Sequence, residues 1–175
     1  MSDLHKAVKY LKRGYLSPIG WLELLASDSG LVSTHFSGTP LQCDDQSPIL
    51  DLCKQQLDEF FAGGTAAFAL PFDWQGTEFQ IRVWKELLLI PFGETVSYLQ
   101  IAQRLGDANS TRAVGNANGK NPIPIIVPCH RVIGAGGSLV GYSGGMDKKK
   151  WLLEFERNLT HRDLFNSANT ESLHG

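Results

Sequence analysis

One cysteine in this chain has neighbours that can make it reactive. Cys129 sits in Asn121-Pro122-Ile123-Pro124-Ile125-Ile126-Val127-Pro128-Cys129-His130-Arg131-Val132-Ile133-Gly134. Thiolate is the nucleophilic form of cysteine; nearby cations favour it, and a general base activates a thiol in direct contact or through one water. His130 and Arg131 supply both kinds of neighbour. The prolines at 122, 124 and 128 exclude a regular helix or a central strand. They predict a rigid extended segment that presets the thiol at low entropic cost. A nucleophile–base pair normally needs a third group to orient the base. Glu156 follows Phe155 on a helix that Asp147 can cap, with Trp151, Leu152 and Phe155 apolar. It lies either at the edge of that buried face or in solvent as a plain glutamate. Lys148-Lys149-Lys150 reads first as a solvated face and second as a phosphate contact. Cys43 and Cys53 have no such neighbours and read as small buried hydrophobes.

The elements that must position these residues fall into two parts. Residues 14–38 read as short strands: turn punctuation over Gly14–Gly20, an apolar run Trp21–Ala26, a turn at Asp28-Ser29-Gly30, then Leu31–Phe36. Ser47-Pro48 opens a helix with Ile49, Leu52, Cys53, Leu57, Phe60 and Phe61 as its apolar face, stopped by Gly63-Gly64. Phe68, Leu70, Phe72 and Trp74 alternate like a strand on the way to a second part. From Thr77 the period is helical, with Phe79, Val83, Trp84, Leu87 and Leu88 on one stripe until Pro91-Phe92-Gly93. A short helix from Ser97 to Leu105 and another from Ser110 to Asn118, joined across Gly106-Asp107, match a helix-turn-helix pattern. Many helical hairpins that bind nothing share that pattern. The expected domains are 1–75, a small α/β unit, and 76–160, with a tail from 161 to 175 that frays.

Composition bounds the classes. With 175 residues, 42% hydrophobic and 19% charged, the chain is an ordinary globular protein of one large or two small domains. Disorder and fibrous repeats are excluded, and no apolar run approaches the roughly 18 residues of a membrane span. The N-terminus shows no secretory signal. Three cysteines without a CxxC pair predict a reducing compartment, cytoplasmic or, in a eukaryote, nuclear. The net charge of −2 argues at first against nucleic acid, but residues 1–75 carry −4 and 76–160 carry +3. A mildly basic half beside an acidic one fits a polyanion binder with a support, and also fits chance variation.

Pro128-Cys129-His130-Arg131-Val132 is preceded by Asn121-Pro122. It is followed by Gly141-Tyr142-Ser143-Gly144-Gly145 and Lys150-Trp151-Leu152-Leu153. With Arg112-Ala113-Val114-Gly115 upstream, this set strongly resembles the O6-alkylguanine-DNA alkyltransferases, closely over residues 77–157 and only in pattern before that. The resemblance implies an α+β fold: a small N-terminal α/β, ribonuclease H-like domain, then a mainly helical, winged helix-turn-helix-like domain for DNA binding and catalysis. It implies direct-reversal repair, in which Cys129 takes the alkyl group from guanine O6 once and irreversibly, with O4-alkylthymine left open. His130 acts through a water as base, Glu156 orients it, and Asn121 ties the segment together. Tyr98 donates a hydrogen bond to the leaving guanine, where negative charge develops. The carbonyls of Cys129 and Val132 hold the exocyclic amine, and Tyr142, Ser143 and Gly144 close the pocket around O6.

A buried thiol requires a flipped base. Arg112 resembles the family's arginine finger, which fills the space the base leaves. Ser110, Thr111, Ala113, Gly115 and Asn116 give its helix small side chains that enter the minor groove of double-stranded DNA with little sequence preference. Gly119 departs from relatives that carry a basic residue there, which affects phosphate affinity and no catalytic step. A monomer without cofactor or metal is implied; Cys43 and Cys53 cannot build the zinc domain of larger relatives. Two other classes compete with this reading. Non-catalytic lesion binders of the same type carry tryptophan at the position of Cys129. An unrelated thiol hydrolase has no use for the Arg112 helix, and a helix-turn-helix regulator has none for Pro128-Cys129-His130.

Overall fold

A computed structural model describes residues 8–64 and 67–171, with side chains through His161. The chain forms two compact units, Met1–Gln75 and Gly76–Gly175.

The first unit is an antiparallel meander of β1 (Leu11–Ser17), β2 (Gly20–Ala26) and β3 (Leu31–Ser37), covered by α1 (Pro48–Phe61). The β1–β2 hairpin pairs Ser17 with Gly20 across Pro18-Ile19, and Gly20 takes a φ of 119°. Alternation buries Leu22, Leu24 and Ala26 on one face of β2. Of the Gly14–Gly20 stretch with its turn punctuation only the end is a turn, and β1 places Arg13 on its inward face, where an apolar residue would announce a strand. Arg13 is buried there, with Nη1 donating to Asp51 (2.6 Å) and Nη2 to the Asp45 carbonyl (2.9 Å).

Ser47 caps α1, accepting from the Leu50 amide. The buried stripe is Leu50, Cys53, Gln56, Leu57 and Phe60, one position off the expected face, so Ile49, Leu52 and Phe61 are only half-buried. Gln56 hides this shift from a hydrophobicity pattern: its amide pairs in both directions with the backbone of Ala69 (3.1 and 2.8 Å). Of the alternating 68–74 stretch, Phe72 alone forms a bridge, to Leu31.

The second unit is mainly helical. Thr77 and Gln80 form a capping box for α2 (Glu78–Leu87), and Ser97 and Gln100 form another for α3 (Tyr98–Arg104). A 3-10 turn at Ala108–Ser110 leads to α4 (Thr111–Gly119), which α2 reaches through Trp84 Nε1 donating to the Ala117 carbonyl (2.9 Å). Two short strands, β4 (Val96–Ser97) and β5 (Val132–Ile133), pair in parallel, and α5 (Met146–Glu171) closes the unit. Asp147 lies inside the first turn of α5 and does not cap it. The helix passes the expected fraying point near Thr160 because no Gly or Pro follows before Glu171; residues 172–175 of that tail lie outside the described residues.

Candidate active site

Two backbone devices bring the site together. Ser97 ends β4 and caps α3, so Tyr98 stands at the helix start; β5 begins immediately after a 3-10 turn over Cys129–Arg131. Pairing Val96 with Val132 therefore sets Tyr98 beside the reactive segment. The prolines predict an extended segment, and that segment is not extended throughout. The Val127 amide donates to the Ile123 carbonyl (2.9 Å), and Ile125 takes a φ of +76° to make the turn. Proline restricts its own φ and the residue before it, but it leaves the residue after it free to reverse the chain. Asn121 holds the turn from inside: its Nδ2 donates to the Val127 carbonyl (2.8 Å), and its Oδ1 accepts from the Ile123 amide (3.0 Å).

Cys129 is 1% exposed, His130 0% and Glu156 1%. Glu156 is thus no solvated glutamate. His130 Nε2 lies 2.7 Å from Glu156 Oε1. The same carboxylate accepts from Arg131 Nε (2.9 Å), Arg131 Nη2 (2.9 Å) and the Gly93 amide (2.9 Å). Burial alone would raise its pKa, but the His130 hydrogen bond and the Arg131 guanidinium outweigh burial and hold the carboxyl down to about 2. Burial pushes His130 below its ordinary value despite Glu156, so its imidazole is neutral at rest. With Glu156 ionised, the shared proton sits on Nε2. Nδ1, which has no hydrogen-bond partner among the described residues, is left as the nitrogen that can accept a proton.

Burial also pushes the Cys129 thiol up, to about 11, against the Asn121 hydrogen bond and the charge of Lys149, which lower it. Of the two routes the sequence offers, cations that favour the thiolate and a general base, burial outweighs the first. The resting thiol is protonated, because desolvation exceeds what the cation returns. The cation that acts on it is Lys149, while Arg131 turns to Glu156 and to the Ile90 carbonyl (2.7 Å), over the Phe92 ring. Lys149 is 0% exposed and so leaves the solvated lysine face expected of it. The signal was present in the helical phase: Lys149, Leu152 and Glu156 recur at i, i+3 and i+7 and all are buried. For Arg131 no spacing distinguishes a ligand of Glu156 from a neighbour of Cys129.

On the substrate side, Tyr98 Oη donates to the Val140 carbonyl (3.1 Å), and the Tyr142 ring meets His130 edge-on at 6.5 Å. The Val132 carbonyl already accepts from Lys149 Nζ (2.7 Å), and the Cys129 carbonyl from the Val132 amide and Asn118 Nδ2 (3.5 Å). Ser143 is exposed and Gly144 half-buried beside Tyr142. On α4, Arg112, Ala113 and Asn116 are exposed and Gly115 is half-buried. The Ser110 and Thr111 hydroxyls are spent within the turn, donating to the carbonyls of Asp107 (2.6 Å) and Ala108 (2.8 Å). Among the described residues no cluster of three His, Cys, Asp or Glu side chains could hold a metal, and no helix is long and apolar enough to cross a membrane.

Residues 11–74 match the family model of the 6-O-methylguanine DNA methyltransferase ribonuclease-like domain, and residues 78–158 match that of the DNA binding domain. A Methanosarcina acetivorans protein named methylated-DNA–protein-cysteine methyltransferase is 42% identical over 146 residues, covering 80% of this chain and 94% of its own length. This chain belongs to the 6-O-methylguanine DNA methyltransferase family. A Mycobacterium leprae methyltransferase of the same name is 57% identical over 112 residues, 63% of this chain and 68% of that one. The crystal structure of Mycobacterium tuberculosis OGT in complex with DNA superposes with a TM-score of 0.76 at 44% identity, covering 85% of this chain and 93% of that one. Cys129, His130, Arg131, Lys149 and Glu156 all fall within the part that matches the methyltransferase DNA binding domain, and none within the ribonuclease-like part.

Proposed function

We propose that this protein repairs DNA by direct reversal, moving the alkyl group of O6-alkylguanine to Cys129. One observation carries the reading: a fully buried thiol directly precedes a buried neutral imidazole whose far nitrogen is committed to an ionised carboxylate. The Cys129 proton passes through a water to His130 Nδ1, and Glu156 stabilises the imidazolium that forms, against the like charge of Arg131. The sulfur lone pair attacks the alkyl carbon, the S–C bond forms, and the C–O6 bond breaks with its electron pair going to the guanine. Tyr98 donates to that developing negative charge, exchanging its Val140 partner for the base. The guanine then takes up one proton, which replaces the one the thiol lost, so charge balances over the cycle.

A protonated resting thiol suits this chemistry. It protects the acceptor from adventitious electrophiles until a bound substrate and His130 remove the proton. A thiol 1% exposed cannot reach a stacked base, so the lesion is flipped out of the duplex. The exposed Arg112, Ala113 and Asn116 with Gly115 present one cation among small side chains. That surface fits close approach to a minor groove, Arg112 filling the vacated stack, with little sequence preference. Residues 76–160 serve as the DNA-binding and transfer domain, with 1–75 as its support, in a monomer of a reducing compartment. Each molecule acts once, because no group at the site removes an alkyl from sulfur. The test is incubation with a duplex bearing labelled O6-methylguanine. Label is expected on Cys129 of the wild type and absent from Cys129→Ala with DNA binding retained; label on the variant sinks the assignment.

A further inference from the structure

The site contains a buried charge that the steps above do not use. Lys149, 0% exposed on the first turns of α5, donates from Nζ to the Val132 carbonyl (2.7 Å) and to the Val140 carbonyl (2.9 Å). These acceptors belong to different segments. Val132 starts β5, directly after the turn that carries Cys129. Val140 belongs to the stretch 134–145, which contains Gly134, Gly136, Gly137, Gly141, Gly144 and Gly145. Positive φ at Gly136, Gly137, Gly141 and Gly145 gives that stretch conformations other residues rarely share, and little intrinsic stiffness. The Val140 carbonyl is a shared anchor, because Tyr98 Oη donates to it as well.

Two backbone carbonyls satisfy hydrogen bonds of an ammonium without neutralising it, so burying Lys149 costs free energy that an apolar side chain would not. Burial accordingly pushes the lysine pKa down, against the raising influence of Cys129. A cost of this kind, paid beside the nucleophile, is the mark of a group retained for function over stability.

We infer that Lys149 is a positioning residue for the alkyl transfer: it ties the glycine-rich 134–145 stretch to the reactive segment through Val140 and Val132, and it places a fixed positive charge where the Cys129 thiolate forms. The tether holds the Val140 carbonyl, and through it Tyr98, in place before substrate arrives. When the base enters, Tyr98 leaves Val140 for guanine while Lys149 keeps the carbonyl, so the wall stays closed as the phenol changes partner. The charge acts at the next step, opposing the accumulation of negative charge on sulfur before the S–C bond forms. The inference rests on the alkyl-transfer reading of the site.

Lys149→Met fills the same volume without charge or donors; Lys149→Gln keeps a donor and loses the charge. The full-length variants are read in three ways: urea unfolding, carbamidomethylation of Cys129 by iodoacetamide across pH with the modified residue mapped by mass spectrometry, and single-turnover transfer from an O6-methylguanine duplex. Lys149→Met is expected to be at least as stable as wild type. In both variants the Cys129 pH profile should move alkaline by about one unit, so carbamidomethylation near neutral pH slows by about tenfold. Duplex transfer should slow in both, and more in Lys149→Met, where the tether is lost as well. Folded variants whose Cys129 profile overlays wild type overturn the inference; if Lys149→Met does not fold, Lys149→Gln alone decides on the same profile. The wild type separates the two claims: if it places no label on Cys129 the alkyl-transfer reading falls, and if it does while the variants match it, only the role of Lys149 falls.

Discussion

Glu156→Gln tests the electrostatic core of the site. The carboxylate accepts from His130, from Arg131 through two nitrogens, and from Gly93, and it is 1% exposed. Glutamine keeps the shape but replaces one acceptor oxygen with a donor NH2, which must face an N–H from Arg131 or Gly93. It also leaves the Arg131 guanidinium, 8% exposed, without a counter-ion. Removing one partner of a buried ion pair costs about 3–5 kcal/mol.

The acid titration gives a second route to the magnitude. A carboxyl held at about 2 against an ordinary 4.5 is worth on the order of 3 kcal/mol at neutral pH. Because the folded-state value is depressed, that stabilisation is fully present above the unfolded value and is lost as pH falls from about 4.5 toward 2; it is roughly halved near pH 3. Urea unfolding of wild type and Glu156→Gln at pH 7 and pH 3 should therefore show a gap of about 3 kcal/mol that narrows in acid. A gap below about 1 kcal/mol at pH 7, or one unchanged at pH 3, refutes the picture of an ionised Glu156 held by Arg131 and His130. The double variant Arg131→Met/Glu156→Gln should lose less than the sum of the two single losses, since it leaves no unpaired charge.

Two further outcomes follow from the two units. Arg112→Ala should slow transfer from duplex by about tenfold or more relative to transfer from a free-base analogue, since offsetting even about 1.4 kcal/mol of the flipping cost is worth that factor. Parallel single-turnover assays measure it, and equal losses on the two substrates remove the finger role. Gly30→Ala should destabilise the chain by about 1–3 kcal/mol in urea unfolding. A Cβ there would lie 2.7 Å from the Asp73 amide nitrogen, 2.7 Å from the Phe72 carbonyl carbon and 2.8 Å from that of Pro71. All three are backbone atoms in the segment that bonds Leu31, so wild-type stability would show that this contact yields freely.

Legibility followed the range of the interaction. The helix starts at Thr77, Ser97 and Ser47 were readable because each cap's partner lies three residues away. The adjacency of Cys129 and His130 needed no fold at all. β1 was lost because its inward positions include Arg13, whose partners Asp45 and Asp51 come from a distant loop and helix. The turn at Ile125 was lost because proline chemistry describes φ at the prolines and not at the residue between them.

The sequence by itself determined the reactive unit: which cysteine has a base beside it and which helices flank it; that Glu156 is buried with Leu152 was decided by the fold. Charge states and roles among the cations were decided only by the tertiary structure. Arg131 stands two residues from Cys129 yet pairs with Glu156, whereas Lys149, twenty residues away, donates to the Val132 and Val140 carbonyls and lowers the Cys129 pKa. The physical reason is that desolvation and pairing depend on which atoms surround a group after folding, and those atoms come from α5, the Gly93 turn and β5, segments whose meeting no local pattern encodes.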